Sequence, residues 1–236
     1  EHWLANMARN CNKDKDLVIG YSRYDDDAKM YQRFERMLIQ CYSLREAQQS
    51  MAYRHYGSNL MIRKSLFMQQ EGFRSSLNLV RGEYDFLVND FATADNTATE
   101  TSHLAHVVED APTHKAWLYH HMYYLESRKI LKRGIKHRLV FNIDQIMLHT
   151  TVIADIAAIA ASVTLQQWII TAGAAVSLII TTSLCSLWLS KRSKELGENI
   201  PTLLALPLQL SVVWHNMKYA INHKFADKLD FTTHKL

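Results

Sequence analysis

The chain has 236 residues, 48% of them hydrophobic, and only seven glycines, a composition for one large or two smaller packed domains and against a disordered chain. Its formal charge of +4 is mildly basic, without the stripe of cations and interleaved aromatics that would point to a nucleic-acid partner. Cys11, Cys41 and Cys185 are odd in number, widely spaced and without a C-x-x-C pair, so they read as reduced thiols and exclude a disulfide framework.

No cleavable signal peptide is visible. The opening "EHWLANMARN" reads as a helix over 2–10 without a start signal of its own, and the sequence is expected to continue upstream of Glu1. "DLVIGYS" (16–22) has the apolar run of a buried strand, and a helix fills 28–49. The triple acid Asp25-Asp26-Asp27 between them reads as a solvated loop carrying charge toward the helix start. "SNLMIRKSLFMQQ" is a short strand passing into a helix closed by Gly72-Phe73. A further helix is predicted from 82 to about 94, and "HLAHVVED" (103–110) is a candidate strand. On a strand His103 and His106 would face opposite sides, so with Glu109 they make a weak metal set. "THKAWLYHHMYYLESRKILKRG" (113–134) is predicted as one long helix capped by Gly134. Alternating strands and helices over 1–138 indicate an α/β domain.

From Ile156 to Ser190 there is no Asp, Glu, Lys or Arg. As one helix this run would span about 52 Å at 1.5 Å per residue, too long for a hydrocarbon core of about 30 Å. Two spans fit better, 146–165 and 168–189, turning at Gln166-Gln167 with Trp168 at the interface. Arg128, Lys129, Lys132, Arg133, Lys136 and Arg138 precede the hairpin, and Lys191, Arg192 and Lys194 follow it. The positive-inside rule then places both ends in the cytoplasm. Asp155, inside the first span, leaves open a pair of buried helices in a soluble domain, or a polar contact within a bundle. The tail "IPTLLALPLQLSVVWHNMKYAINHKF" reads as an interfacial amphipathic segment lying on a membrane. The resulting division is 1–138, 139–190 and 191–236.

Five segments in order, "DLVIGYSRY" (16–24), "YGSNLMIRKSLFMQQEGF" (56–73), "GEYDFLVND" (82–90), "THKAW" (113–117) and the apolar hairpin, resemble the C-terminal portion of a family 2 glycosyltransferase of the GT-A fold. The likeness is to the membrane-bound Bacteroidetes-type branch and covers nearly the whole chain. It implies transfer of a sugar from a nucleotide-sugar donor to a lipid-linked or polysaccharide acceptor, with inversion, at the cytosolic face of a bacterial inner membrane. It also implies a nucleotide-binding half and an Asp-x-Asp holding Mg²⁺ or Mn²⁺, both expected upstream of Glu1, so that this portion alone would be inactive. Gly57, Ser58, Asn59, Arg63 and Lys64 match the loop that lines the sugar-nucleotide site. Gly82-Glu83-Tyr84-Asp85 matches the family's Gly-Glu-Asp-Asp, with Tyr84 at the base position and Asp85 or Glu83 as the available catalytic carboxylate. Tyr84 and Trp117 are expected to bind substrate, and "HHMYY" (120–124) stands where the family carries arginines. His114, His120 and His121 could line an acceptor groove or a solvent-side helix face, and Tyr119, Tyr123 and Tyr124 could stack on sugars or pack the helix. The loss of the arginines and Tyr84 together support an alternative, a non-catalytic membrane scaffold derived from a transferase domain. A transporter using Asp155 is a third reading, weakened by having only two spans.

Overall fold

The computed structural model describes residues 2–11, 14–49 and 51–232, without the side chains at 136 and 137. The Lys136 side chain, one of the flanking cations, therefore lies outside the described residues. The chain forms two units, 1–137 with 215–236, and 138–214.

The first unit is built on five short strands: β1 (Leu17–Gly20), β2 (Ser22–Tyr24), β3 (Leu60–Ile62), β4 (Thr97–Glu100) and β5 (Val107–Glu109). They form a three-stranded sheet in the order β3-β1-β4 and a ribbon of β2 with β5. β1 is antiparallel to β3 and parallel to β4, with Leu17 opposite Ile62 and Thr97. All four residues of β1 are buried, as expected of a central strand covered on both faces. Its helices are α1 (Trp3–Asn10), α2 (Met30–Gln49), α3 (Lys64–Gln69), α4 (Glu83–Phe91) and α5 (His114–Ser127). Met7 of α1 packs with Val18 and Ala105 on one side of the sheet. Tyr53, Leu79, Phe86 and Leu131 make a second apolar cluster, and Tyr24, Ala28, Trp117 and Tyr219 a third.

Close backbone approach explains two glycines. A Cβ at Gly20 would lie 2.4 Å from the Asn59 side chain. Gly57, at φ +129°, would place one 2.8 Å from Arg36 and 2.9 Å from the Ser22 hydroxyl.

Two expectations are corrected, and one strand is added. The long helix does not run to Gly134: α5 stops at Ser127, and Gly134 begins the next helix, α6 (Gly134–Thr164). The intervening turn has Arg133 at φ +63° and is stapled by Asn89, whose amide bonds the backbone of Tyr53 and Lys132 on both its donor and acceptor sides. That long-range staple outweighs local helix propensity. The 103–110 strand begins only at Val107, because His103–Ala105 forms a 3-10 turn. The turn brings the His103 and His106 rings to 4.9 Å instead of opposing them across a strand. β4, "TATE", was not anticipated; it is too short and polar to show an apolar run, and is fixed by parallel pairing with β1.

In the second unit, α6 is followed by α7 (Trp168–Glu195) and by the first part of α8 (Thr202–Phe225), whose residues from His215 onward belong to the first unit. Residues 138–164 and 168–195 form two helices long and apolar enough to cross a membrane, as judged by length and composition. Gln166 takes φ +55° while the Gln167 N–H bonds back to the Ser162 carbonyl at 2.8 Å, which closes α6 with a left-handed cap. Ser177 donates to Asp155 at 3.0 Å, a polar link between the two apolar helices.

The packing at Gly20 yields a first prediction. Gly20→Ala overpacks against the fully buried Asn59 and lowers stability by about 1–3 kcal/mol. Thermal unfolding followed by tryptophan fluorescence reads this as a lower midpoint; an unchanged midpoint contradicts the close approach.

Candidate functional site

The expected site segments meet around two buried guanidinium groups of the first unit. Arg36, on α2, donates to both Glu109 oxygens at 2.8 and 2.6 Å and to the Ser22 carbonyl at 3.1 Å. Arg54 donates to Asp85 at 3.0 Å and lies 3.5 Å from the centroid of Tyr124. Tyr56 sits between the two cations, 5.4 Å from Arg36 and 5.6 Å from Arg54. These cation–ring contacts and charge-assisted bonds gain strength where water is excluded. Burial opposes the charge of each arginine, but the carboxylate partner more than offsets it, and both pKa values rise.

The acidic turn divides into three different environments. Asp85 is 6% exposed, and burial pushes its carboxyl above the ordinary range against the pull of Arg54. Glu83, in the first turn of α4, is half-buried and accepts the Gly82 N–H at 2.9 Å. Tyr84 is 39% exposed. Gly82 makes the turn at φ +112°, a conformation that favours glycine.

The neighbouring loop has a largely architectural arrangement. The Asn59 amide donates to the Tyr21 and Ala105 carbonyls and accepts from Trp3, so it is fully engaged within the fold. Ser58 is exposed and contacts Glu109 at 3.3 Å. Arg63 pairs with Asp16, and Lys64 is exposed at the start of α3. Both lie beyond the far end of β3, about 13 Å along the strand from Asn59, so the structure does not bring them to the cluster. In the acidic loop before α2, Asp26 pairs with Arg33 at 2.8 Å.

Trp117 is 2% exposed, and its indole donates to Tyr219 at 2.8 Å. Tyr219 in turn donates to Glu35 at 3.1 Å and stacks on His121 at 4.1 Å. His121 and His215 approach opposite oxygens of Glu35, each at 3.7 Å. Glu35 is pushed upward by burial against the opposing effects of His215 and Tyr219. His120 packs edge-on against Tyr56 at 4.4 Å. Burial and the nearby arginines lower His55 and His120 to about 3. Burial, with His120 beside it, lowers His121 well below its ordinary value. The Nε2 atoms of His55, His120 and His121 and one oxygen of Glu35 are buried without a hydrogen-bond partner. His114, by contrast, is exposed at the start of α5.

Glu35, Arg36, Arg54 and His55 were not singled out in the sequence. The only signal was "YRHY" (53–56), two polar residues between tyrosines, and two adjacent charges in the first half of α2. Among the described residues no three metal-ligating side chains converge, so those present do not supply a set for Mg²⁺ or Mn²⁺.

The histidines give a pH dependence. A folded pKa near 3 against an ordinary value of 6.5 means that the unfolded chain binds more protons between these limits. Stability from His55 is therefore present above about pH 6.5 and lost as pH falls, at up to about 1.4 kcal/mol per pH unit. Glu35 and Asp85, shifted upward, act in the opposite direction above their unfolded values. His55→Asn removes one such proton. Unfolding midpoints measured from pH 7 to 4 should fall less steeply in this variant; an identical slope contradicts the assignment.

No protein-family model, curated protein or solved structure matches the chain.

Proposed function

We propose that the chain forms the acceptor-facing part of a membrane-tethered, family 2-like glycosyltransferase. It would move a sugar from a nucleotide sugar to a lipid-linked or polysaccharide acceptor. The observation that supports this reading is convergence: segments 53–59, 83–85 and 117–124, separated in sequence, meet at Arg54 and Tyr56.

In the reaction, an acceptor hydroxyl attacks the anomeric carbon, the bond from that carbon to the diphosphate oxygen breaks, and the nucleoside diphosphate leaves. Glu83 takes the hydroxyl proton. It is preferred over Asp85 because its carboxylate is half-exposed, whereas Asp85 is buried against Arg54. Asp85 is a positioning residue that holds the start of α4 through Arg54. Tyr84, exposed between them, would contact the acceptor. The donor half and its divalent cation belong to the upstream region that the resemblance implies.

A specific observation favours the second reading, a non-catalytic scaffold: Trp117, expected to bind substrate, is buried and bonded to Tyr219. Nucleotide-sugar turnover in membranes carrying the protein at its native length separates the two. Glu83→Gln should lower kcat by about 100-fold or more while leaving the unfolding midpoint in place. Asp85→Asn should lower the midpoint by weakening a buried ion pair. Turnover unaffected by Glu83→Gln rules out the base assignment, and no turnover in the native protein favours the scaffold.

A further inference from the structure

The C-terminal half of α8 has two faces with different partners. His215, Tyr219 and His223 follow one another at four-residue spacing and all face the first unit: His215 and Tyr219 meet Glu35, and His223 bonds Glu126 at 2.7 Å. At about 100° per residue, Met217, Ile221 and Phe225 fall about 200° around the helix from that row. These three are 49%, 56% and 81% exposed. Lys218 and Lys224, both exposed, lie about 60° to either side of the stripe's centre. An apolar stripe bordered by lysines on both sides has the form of a helix lying in a membrane interface, where the long stems follow the apolar surface and the ammonium groups reach the headgroups.

We propose that this face of α8 rests on a lipid bilayer containing anionic headgroups, so that the helix is held between the Glu35–Trp117 cluster and the membrane surface. Two observations favour a bilayer as the occupant. The lysines complement anionic headgroups, and the same chain carries two helices long and apolar enough to cross a membrane, which would keep the domain at its surface. Met217, Ile221 and Phe225 would enter the boundary between headgroups and acyl chains. The cluster would then lie about one helix diameter, some 10 Å, from lipid. The inference does not depend on the glycosyltransferase reading.

The test uses the full chain with Cys11, Cys41 and Cys185 replaced by Ser, reconstituted into phosphatidylcholine nanodiscs with or without phosphatidylglycerol. An environment-sensitive fluorophore is placed at Ile221→Cys and, as a control on the exposed polar side, at Asn216→Cys. Lipid-attached nitroxide should quench the label at 221 at least about threefold more than that at 216. Phosphatidylglycerol should increase the difference, and Lys218→Glu with Lys224→Glu should reduce it. Equal quenching at the two positions overturns the proposal. So does burial of the 221 label that follows protein concentration and ignores lipid composition, since a second copy of the chain would then cover the stripe.

Discussion

Two guanidinium groups removed from water constrain the first unit more than any other feature. Arg36 and Arg54 are 1% and 7% exposed, and an uncompensated charge at that depth would cost several kcal/mol. Each must therefore hold a carboxylate, and those carboxylates come from distant parts of the chain: Glu109 from the end of β5, Asp85 from the first turn of α4. The remaining contacts follow. Tyr56 fills the space between the cations, Tyr124 covers Arg54, and Gly57 has no side chain because Arg36 and Ser22 occupy the space beside it. The same demand explains why Asp85 is closely held while Glu83, two residues earlier, remains accessible.

The C-terminal segment adds a second polar layer. Tyr219 accepts from Trp117 and donates to Glu35, so one hydroxyl links α5, α8 and α2 in a single chain of hydrogen bonds. Farther along, the Val80 N–H bonds the Phe231 carbonyl at 2.9 Å, close in sequence to the acidic turn. A tail that supplies partners to buried groups is part of the domain's packing, whatever contact its other face makes. This differs from a division in which the tail is a region of its own, since 215–236 belongs with the first unit.

Much of the architecture was legible in the sequence because it rests on local signals. The apolar run at 17–20, the long helix from 30, the glycines at 57 and 82, and the uncharged stretch after Asp155 each mark an element without reference to the rest of the chain. The absences in that reading were nonlocal. β4 is defined by its neighbour, the end of α5 by the Asn89 staple, and the ion-pair cluster by partners 31 and 73 positions apart. Glu35 and Arg36 are buried because the stretch 32–38 of α2 is covered all round by the rest of the unit. At the candidate site the acidic turn was visible, but which acid stays accessible depends on Arg54, and the sequence gives no reason to pair these two residues.

The buried Arg54–Asp85 pair fixes the acidic turn, and a double-mutant cycle tests this most directly. Thermal unfolding of the native-length protein in detergent would be compared with Arg54→Met, Asp85→Leu and the double variant. Each single change should cost about 3–5 kcal/mol, and the double variant much less than the sum because no unpaired charge remains. Single changes that are nearly neutral, or a double variant whose loss equals the sum, would contradict it.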